Sequence, residues 1–191
     1  MAKRINTKDI GIRLALAGLG SALSIVFVTL SYYVSVMTIS FTILSCVGVL
    51  LPLTRDYYRE GVIVCIVTAL AGFFIVNIKI VPFAMCCSIY VVLTIFAYNK
   101  LYRRGWIAIV LIYIFKIGYS CLVFYILYKV TSLFVVNVDK ISVFQYRPEN
   151  IIYLLLNTFF TICFIIYDTL LIEGYKYGKK LADRILRGKH G

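Results

Sequence analysis

One lysine stands in the middle of a long apolar and aromatic stretch of this sequence. The stretch Trp106–Lys129 reads WIAIVLIYIFKIGYSCLVFYILYK, and Lys116 lies near its centre. A charge at the centre of a bilayer costs at least ~2.5 kcal/mol, and such residues usually face the interior of a helix bundle or a watery cavity. Lys116 is therefore a candidate solute ligand, and the alternative is a buried counter-ion to Asp168.

A sparse set of polar residues accompanies this lysine in the apolar segments. At helical spacing Tyr113 and Ser120 share one face with Lys116, and Tyr119 is adjacent to it. A few polar groups among aromatic walls are typical of a cavity for a small, partly aromatic or anionic solute. For Asn157 the alternative is an interhelical hydrogen bond. The predicted substrate-binding residues are Lys116, Tyr113, Ser120, Asn157, Tyr119, Asn77 and Tyr90.

The sequence carries no residue pattern typical of catalysis or metal binding. The only histidine, His190, is next to last in the chain, and GxSxG, HExxH and phosphate-binding glycine loops do not occur. The six cysteines fall inside apolar segments without CxxC spacing, which indicates small buried hydrophobes. We therefore expect no enzyme activity, no cofactor and no metal site.

Composition predicts an all-α integral membrane protein. Of the 191 residues, 62% are hydrophobic and 15% are charged, and the mean hydropathy is +0.95. Soluble domains have about 45–50% apolar and about 25% charged residues. The apolar runs are continuous over about 20 residues, which is the length of a membrane-crossing helix.

The apolar runs predict a single six-helix membrane domain over residues 1–191. Both termini are expected on the cytoplasmic side of a bacterial plasma membrane, because 15 of the 20 Lys and Arg residues then lie in cytoplasmic segments and four lie outside. The predicted spans are 10–34, 36–54, 61–78, 82–99, 106–129 and 151–172, followed by a basic tail over 173–191.

The net charge of +12 is distributed in short clusters at the ends of the apolar segments. This pattern is typical of topology signals and contacts with anionic lipids, and it does not indicate nucleic-acid binding. The longest connection, residues 130–150, is the candidate for a lid over a solute site.

Small residues recur on two faces of the first span. Small side chains spaced four apart let a second helix approach closely, and that helix could belong to this protein's own bundle or to a partner membrane protein. One face consists of Gly11, Ala15, Gly18 and Ala22, and the other of Ala17, Ser21 and Ser24. The predicted partner-docking residues are Gly11, Ala15, Ala17, Gly18, Ser21 and Ala22.

The small-residue first helix and the stretch VPFAMCCSIYVVLTIFAYNKLYRRGW, followed by IFKIGY, resemble the substrate-binding S components of energy-coupling-factor (ECF) vitamin transporters. The resemblance covers most of the chain in topology and is specific over residues 81–120. It implies a subunit that binds a small water-soluble nutrient near the extracellular side. It also implies docking on a transmembrane coupling subunit driven by an ATPase pair, through Ala17 and Ser21 or through Gly18 and Ala22.

A non-transporting membrane scaffold is the alternative. The rod-shape-determining membrane protein of the cell-wall elongation machinery is similar in size and number of spans, and a small-residue helix would serve it as a protein interface. Lys116 at the middle of the bilayer favours a solute site, since a scaffold has no need of a charge there.

Overall fold

The computed structural model describes residues 7–101, 105–134 and 149–187, which are nearly all helical. A 3₁₀ turn precedes α2, another follows α4, and a π-helical segment, Phe83–Ile89, leads into α5. No β-strand occurs in these described residues, so the all-α prediction is confirmed for them. The helices are α1 (Thr7–Tyr33), α2 (Thr38–Leu44), α3 (Cys46–Leu53), α4 (Tyr58–Val76), α5 (Tyr90–Lys100), α6 (Trp106–Phe134) and α7 (Glu149–Arg187).

Within the described residues, five helical stretches are long and apolar enough to cross a membrane, which is consistent with a multi-pass membrane protein. A sixth apolar helix, Thr38–Leu53, combines α2 and α3 and is about 24 Å long at 1.5 Å per residue. Most of the predicted lid, residues 135–148, lies outside the described residues. The five long stretches are Ile10–Tyr33, Tyr58–Val76, Phe83–Lys100, Trp106–Lys129 and Tyr153–Arg184.

The chain forms two compact units, and α7 contributes residues to both. The larger unit comprises Met1–Asn99 and Leu171–Gly191, and the smaller unit comprises Lys100–Leu170. The larger unit therefore contains α1 to α4 and nearly all of α5, together with the last part of α7. The smaller unit contains α6 and the first part of α7.

In the larger unit α1 and α4 run side by side in the same direction. Arg13, near the start of α1, forms an ion pair with Glu60 at the start of α4, with 3.5 Å between Nη1 and Oε1. Further along both helices, a Cβ added to Gly72 of α4 would lie 3.5 Å from Val28 of α1. The segment 34–57 must therefore return along the length of α1. Although α2 and α3 are short, together they run back across the unit.

The closest helix crossing in the larger unit joins α1 and α3. A Cβ added to Gly20 would lie 2.5 Å from the carbonyl oxygen of Gly48, and one added to Gly48 would collide with Gly20 and with the Ser24 hydroxyl. That hydroxyl donates a hydrogen bond to the carbonyl oxygen of Ser45, at 2.8 Å, in the break between α2 and α3. Glycine is thus required at both positions, because two backbones touch there.

Candidate functional site

The buried polar contacts of the smaller unit begin with an ion pair between α6 and α7. Lys116 Nζ donates to Asp168 Oδ2 at 2.6 Å, and the two residues are only 6% and 7% exposed. Opposite charges in contact offset part of the cost of burying each, whereas either charge alone would be strongly unfavourable. Of the two roles considered for Lys116, that of counter-ion to Asp168 is therefore supported by a direct contact.

The buried face of α6 differs from the one predicted around Lys116. Ser120 is buried with it, but Tyr113 is 47% exposed and lies at the edge of this face, with its ring centroid 5.8 Å from Lys116 Nζ. The buried positions of α6 are Ile112, Lys116, Ser120 and Val123. This face is centred on the i−4 and i+4 neighbours of Lys116, so the i−3 position falls at its border.

Two further polar contacts continue along the α6–α7 pair beyond Lys116. Ser120 Oγ lies 3.3 Å from Thr161 Oγ1, and Asn157 Nδ2 lies 3.7 Å from Cys121 Sγ. Thr161 in turn donates to the carbonyl oxygen of Asn157 at 2.9 Å. As the residue number rises on α6 it falls on α7, so the two helices are antiparallel. Asn157 forms the interhelical contact that was considered as the alternative to ligand binding.

Asn157 also carries an acceptor that its surroundings leave unused. Its Oδ1 atom is buried and accepts no hydrogen bond from any part of the chain that the structure describes. A buried polar atom without a partner costs about 1–3 kcal/mol, so such atoms are uncommon in native proteins. The side chain could accept a hydrogen bond from a solute or a water molecule.

Aromatic rings line the same helix pair. The ring of Tyr119 packs near those of Phe115 and Phe164, with centroid distances of 6.2 and 6.3 Å. Farther along, Phe124 contacts Tyr153 at 5.3 Å between centroids. Aromatic rings therefore lie along the same two helices as the polar residues, and their proposed role as walls of a solute cavity stays a prediction.

Two predicted substrate-binding residues belong to the larger unit. Asn77 ends α4 with a positive φ of 56° and is exposed, and Tyr90 is 1% exposed at the start of α5. With a ψ of −139°, this backbone conformation is strained for any residue other than glycine. Neither residue is part of the polar contacts between α6 and α7, and their proposed role in binding stays a prediction.

The two small-residue faces of α1 have different surroundings. Ala17, Ser21 and Ser24 are buried, so this face packs within the larger unit. The other face is exposed, and a Cβ added to Gly11 or Gly18 would meet no atom within 4 Å. The residues of this exposed face are Gly11, Ala15, Gly18 and Ala22. Of the two pairs to which the resemblance assigns docking, only Gly18 and Ala22 are accessible.

The sequence analysis missed a polar cluster in the larger unit. Asn99 Nδ2 donates to the hydroxyls of Tyr58 and Tyr175, each at 2.8 Å. The Tyr175 hydroxyl donates to Asp56 Oδ1 at 3.2 Å, and Lys179 Nζ donates to Asp56 Oδ2 at 3.0 Å. We call these five residues the Asp56 cluster. Its members are up to 123 positions apart in the chain, so no local pattern could have joined them.

The described residues contain no group of three or more His, Cys, Asp or Glu side chains that could hold a metal ion. Their chemistry consists of hydrogen bonds and one buried ion pair within apolar helices. No protein-family model matches the sequence, and neither the curated proteins nor the solved structures include a significant match.

Proposed function

We propose that the chain is the substrate-binding membrane subunit of an ECF-type transporter for a small water-soluble nutrient such as a vitamin or a vitamin precursor. The observation that carries the proposal is the difference in burial between the two small-residue faces of α1. The bundle uses the face of Ala17, Ser21 and Ser24, whereas the face of Gly11, Ala15, Gly18 and Ala22 is exposed.

The exposed face of α1 is suited to a transmembrane coupling subunit. Lipid tails pack as well against large apolar side chains as against small ones, so lipid contact gives no reason for four small residues on one face. A partner helix does, because small residues let two backbones approach closely. The open space around Gly11 and Gly18 supports this role. The coupling subunit in turn engages the ATPase pair.

The solute would bind beside the polar residues between α6 and α7. Asn157 Oδ1 offers an unused acceptor, Ser120 and Thr161 offer hydroxyls, and the rings near Tyr119 offer an apolar wall. This combination suits a small solute with donor groups on an aromatic or otherwise apolar body. The protein would lie in the bacterial plasma membrane with both termini cytoplasmic, as the distribution of Lys and Arg favours.

One observation favours the alternative, a non-transporting membrane scaffold. Lys116 is paired with Asp168, so its charge is balanced without any solute. The exposed face of α1 would then be an interface with another membrane protein. The two functions differ in one measurable property, because only the transporter subunit carries a small molecule.

The test combines co-purification with a matched pair of variants. Gly18 and Gly118 are both exposed glycines within apolar helices, and an added Cβ has open space at each. We expect Gly18→Leu to abolish co-purification with a co-expressed ECF coupling module, and Gly118→Leu to preserve it. Both variants should melt at the wild-type temperature, because neither substitution meets the protein's own atoms. Equal behaviour of the two variants would contradict docking through α1.

Native mass spectrometry of the wild-type protein then separates the two functions. The transporter proposal predicts a bound small molecule that is released on unfolding. A wild-type protein that carries no small molecule and binds no ECF module, yet forms another Gly18-dependent complex, would establish the scaffold instead.

A further inference from the structure

The last part of α7 has two opposite faces, and only one of them packs against the rest of the described chain. We refer to residues 173–187 as the α7 extension. Its inner face includes Tyr175, Gly178 and Lys179, which follow one another at helical spacing. Tyr175 is 1% exposed, and a Cβ added to Gly178 would lie 2.9 Å from the Thr54 side chain. These contacts fix the rotation of the extension about its own axis.

The opposite face of the α7 extension is exposed, basic and partly apolar. Tyr177 and Leu181 are 70% and 60% exposed, and Lys180 and Arg184 are exposed as well. These four residues lie at i, i+3, i+4 and i+7, which makes one continuous stripe. Lys180 Nζ lies 5.9 Å from the centroid of the Tyr177 ring, so a basic and an aromatic group already meet there. We call these four residues the outer face.

Two acidic residues near this stripe, Glu173 and Asp183, do not cancel its charge. Glu173, one turn before Tyr177, forms an ion pair with Lys176, at 2.6 Å between Nζ and Oε1. Asp183, which is exposed three positions after Lys180, is a single carboxylate against the two positive charges of Lys180 and Arg184, so positive charge remains in excess on the outer face. An anionic partner is the complement of such a surface.

Contacts of the inner face show which end of the larger unit the outer face lies at. Gly178 packs against Thr54, the residue after α3, and Lys179 binds Asp56 in the turn before α4. Tyr175 bonds to Asn99, the penultimate residue of α5. The extension is therefore level with the point where three apolar helices of the larger unit end. In a membrane-spanning bundle this is the level of the lipid headgroups.

We infer that the outer face of the α7 extension binds the headgroups of anionic phospholipids. Tyrosine is enriched at this level because its ring is apolar and its hydroxyl is polar, and Lys and Arg next to a membrane span attract anionic lipids. An acidic protein groove would offer similar charge, but the headgroup level of the face favours lipid. This binding is independent of transport or scaffolding.

The test uses the full chain in nanodiscs of equal parts phosphatidylcholine and phosphatidylglycerol. Native mass spectrometry after release counts the lipids of each kind that stay bound. The variant Lys180→Gln/Arg184→Gln removes the two charges of the outer face. The matched control, Arg59→Gln/Lys100→Gln, removes two exposed charges outside this face, one near the start of α4 and one at the end of α5. All four side chains are exposed, so thermal unfolding should stay at the wild-type value.

We expect the wild-type protein and the control to retain phosphatidylglycerol in preference to phosphatidylcholine. The outer-face variant should lose this preference by about fivefold for each basic residue removed. The inference is overturned if the wild type shows no preference, which would point to an acidic protein as the partner. It is also overturned if the control loses as much preference as the outer-face variant, because any basic residue at this end would then suffice.

Discussion

The contact between Lys116 and Asp168 changes what the central lysine can do. A lysine in the middle of a long apolar helix either binds a solute or has its charge balanced by a counter-ion. Here the carboxylate of Asp168 lies 2.6 Å from Lys116 Nζ. Such pairs contribute little net stability, because desolvation offsets most of the attraction. Breaking one is different, because the remaining charge stays buried without a partner.

The first prediction concerns this ion pair. Lys116→Met removes the cation of the ion pair and leaves the buried Asp168 carboxylate without it, so we expect the variant to lower the free energy of unfolding by about 3–5 kcal/mol. The double variant Lys116→Met/Asp168→Leu should recover most of that loss, because neither charge remains. Thermal unfolding in detergent measures both. A single variant as stable as the wild type would show that Asp168 has another way to satisfy its charge.

At the scale of helices, the buried and exposed glycines of α1 differ in how much space a side chain would have. Gly20 touches the backbone of Gly48, whereas Gly18, two positions away, faces open space. Gly20 was in neither small-residue face predicted from the sequence, because the rotation of α1, and so which glycine touches α3, depends on where α3 and α4 pack. Close packing between helices has little tolerance for an added methyl group at such a contact.

The second prediction uses this difference. Gly20→Ala forces α1 and α3 apart, and we expect a loss of about 1–3 kcal/mol in unfolding free energy, as is typical of overpacking. Gly18→Ala makes no contact and replaces glycine with a better helix former, so its stability should be equal or higher. Chemical unfolding of both variants in the same detergent is the measurement. If Gly20→Ala is as stable as Gly18→Ala, the α1–α3 crossing is not close.

The third prediction concerns the α7 extension. Tyr175→Phe keeps the ring but removes the hydroxyl that accepts from Asn99 and donates to Asp56. A lost hydrogen bond with partners left unsatisfied costs about 1–3 kcal/mol, so amide hydrogen exchange over residues 175–187 should accelerate about tenfold or more.

The control for this prediction is Tyr177→Phe, which removes a hydroxyl from the exposed side of the same helix. It should leave the exchange rates of the extension unchanged. Equal acceleration in both variants would show that the Asp56 cluster does not hold the extension in place.

At the scale of the whole molecule, the number of membrane crossings depends on the short helix pair α2–α3. The parallel arrangement of α1 and α4 requires segment 34–57 to run back between them, so we expect six crossings and both termini on one side. A reporter that fluoresces only in the cytoplasm, fused to either terminus in turn, should then be bright in both fusions. One bright and one dark fusion would mean that α2–α3 does not cross.

The sequence predicted the helical class well because long apolar runs leave few alternatives for the backbone. It also marked Lys116 and Ser120 as unusual, and both are buried. It placed Tyr113 on the buried face, because spacing alone does not locate the border between packed and exposed positions. The Asp56 cluster depends on contacts across more than 100 positions, as between Asp56 and Tyr175, and only the folded chain reveals these.

The cluster's long sequence separation has a consequence for biosynthesis. Asp56 adopts a left-handed backbone conformation with φ of 59°, and its hydrogen-bond donors Tyr175 and Lys179 lie 119 and 123 positions later in the chain. The Asp56 cluster therefore cannot form until the chain has been synthesised as far as Lys179. Until α7 is synthesised, the carboxylate of Asp56 lacks both of these donors, so a chain that stops before Tyr175 would lack these hydrogen bonds at the Asp56 turn.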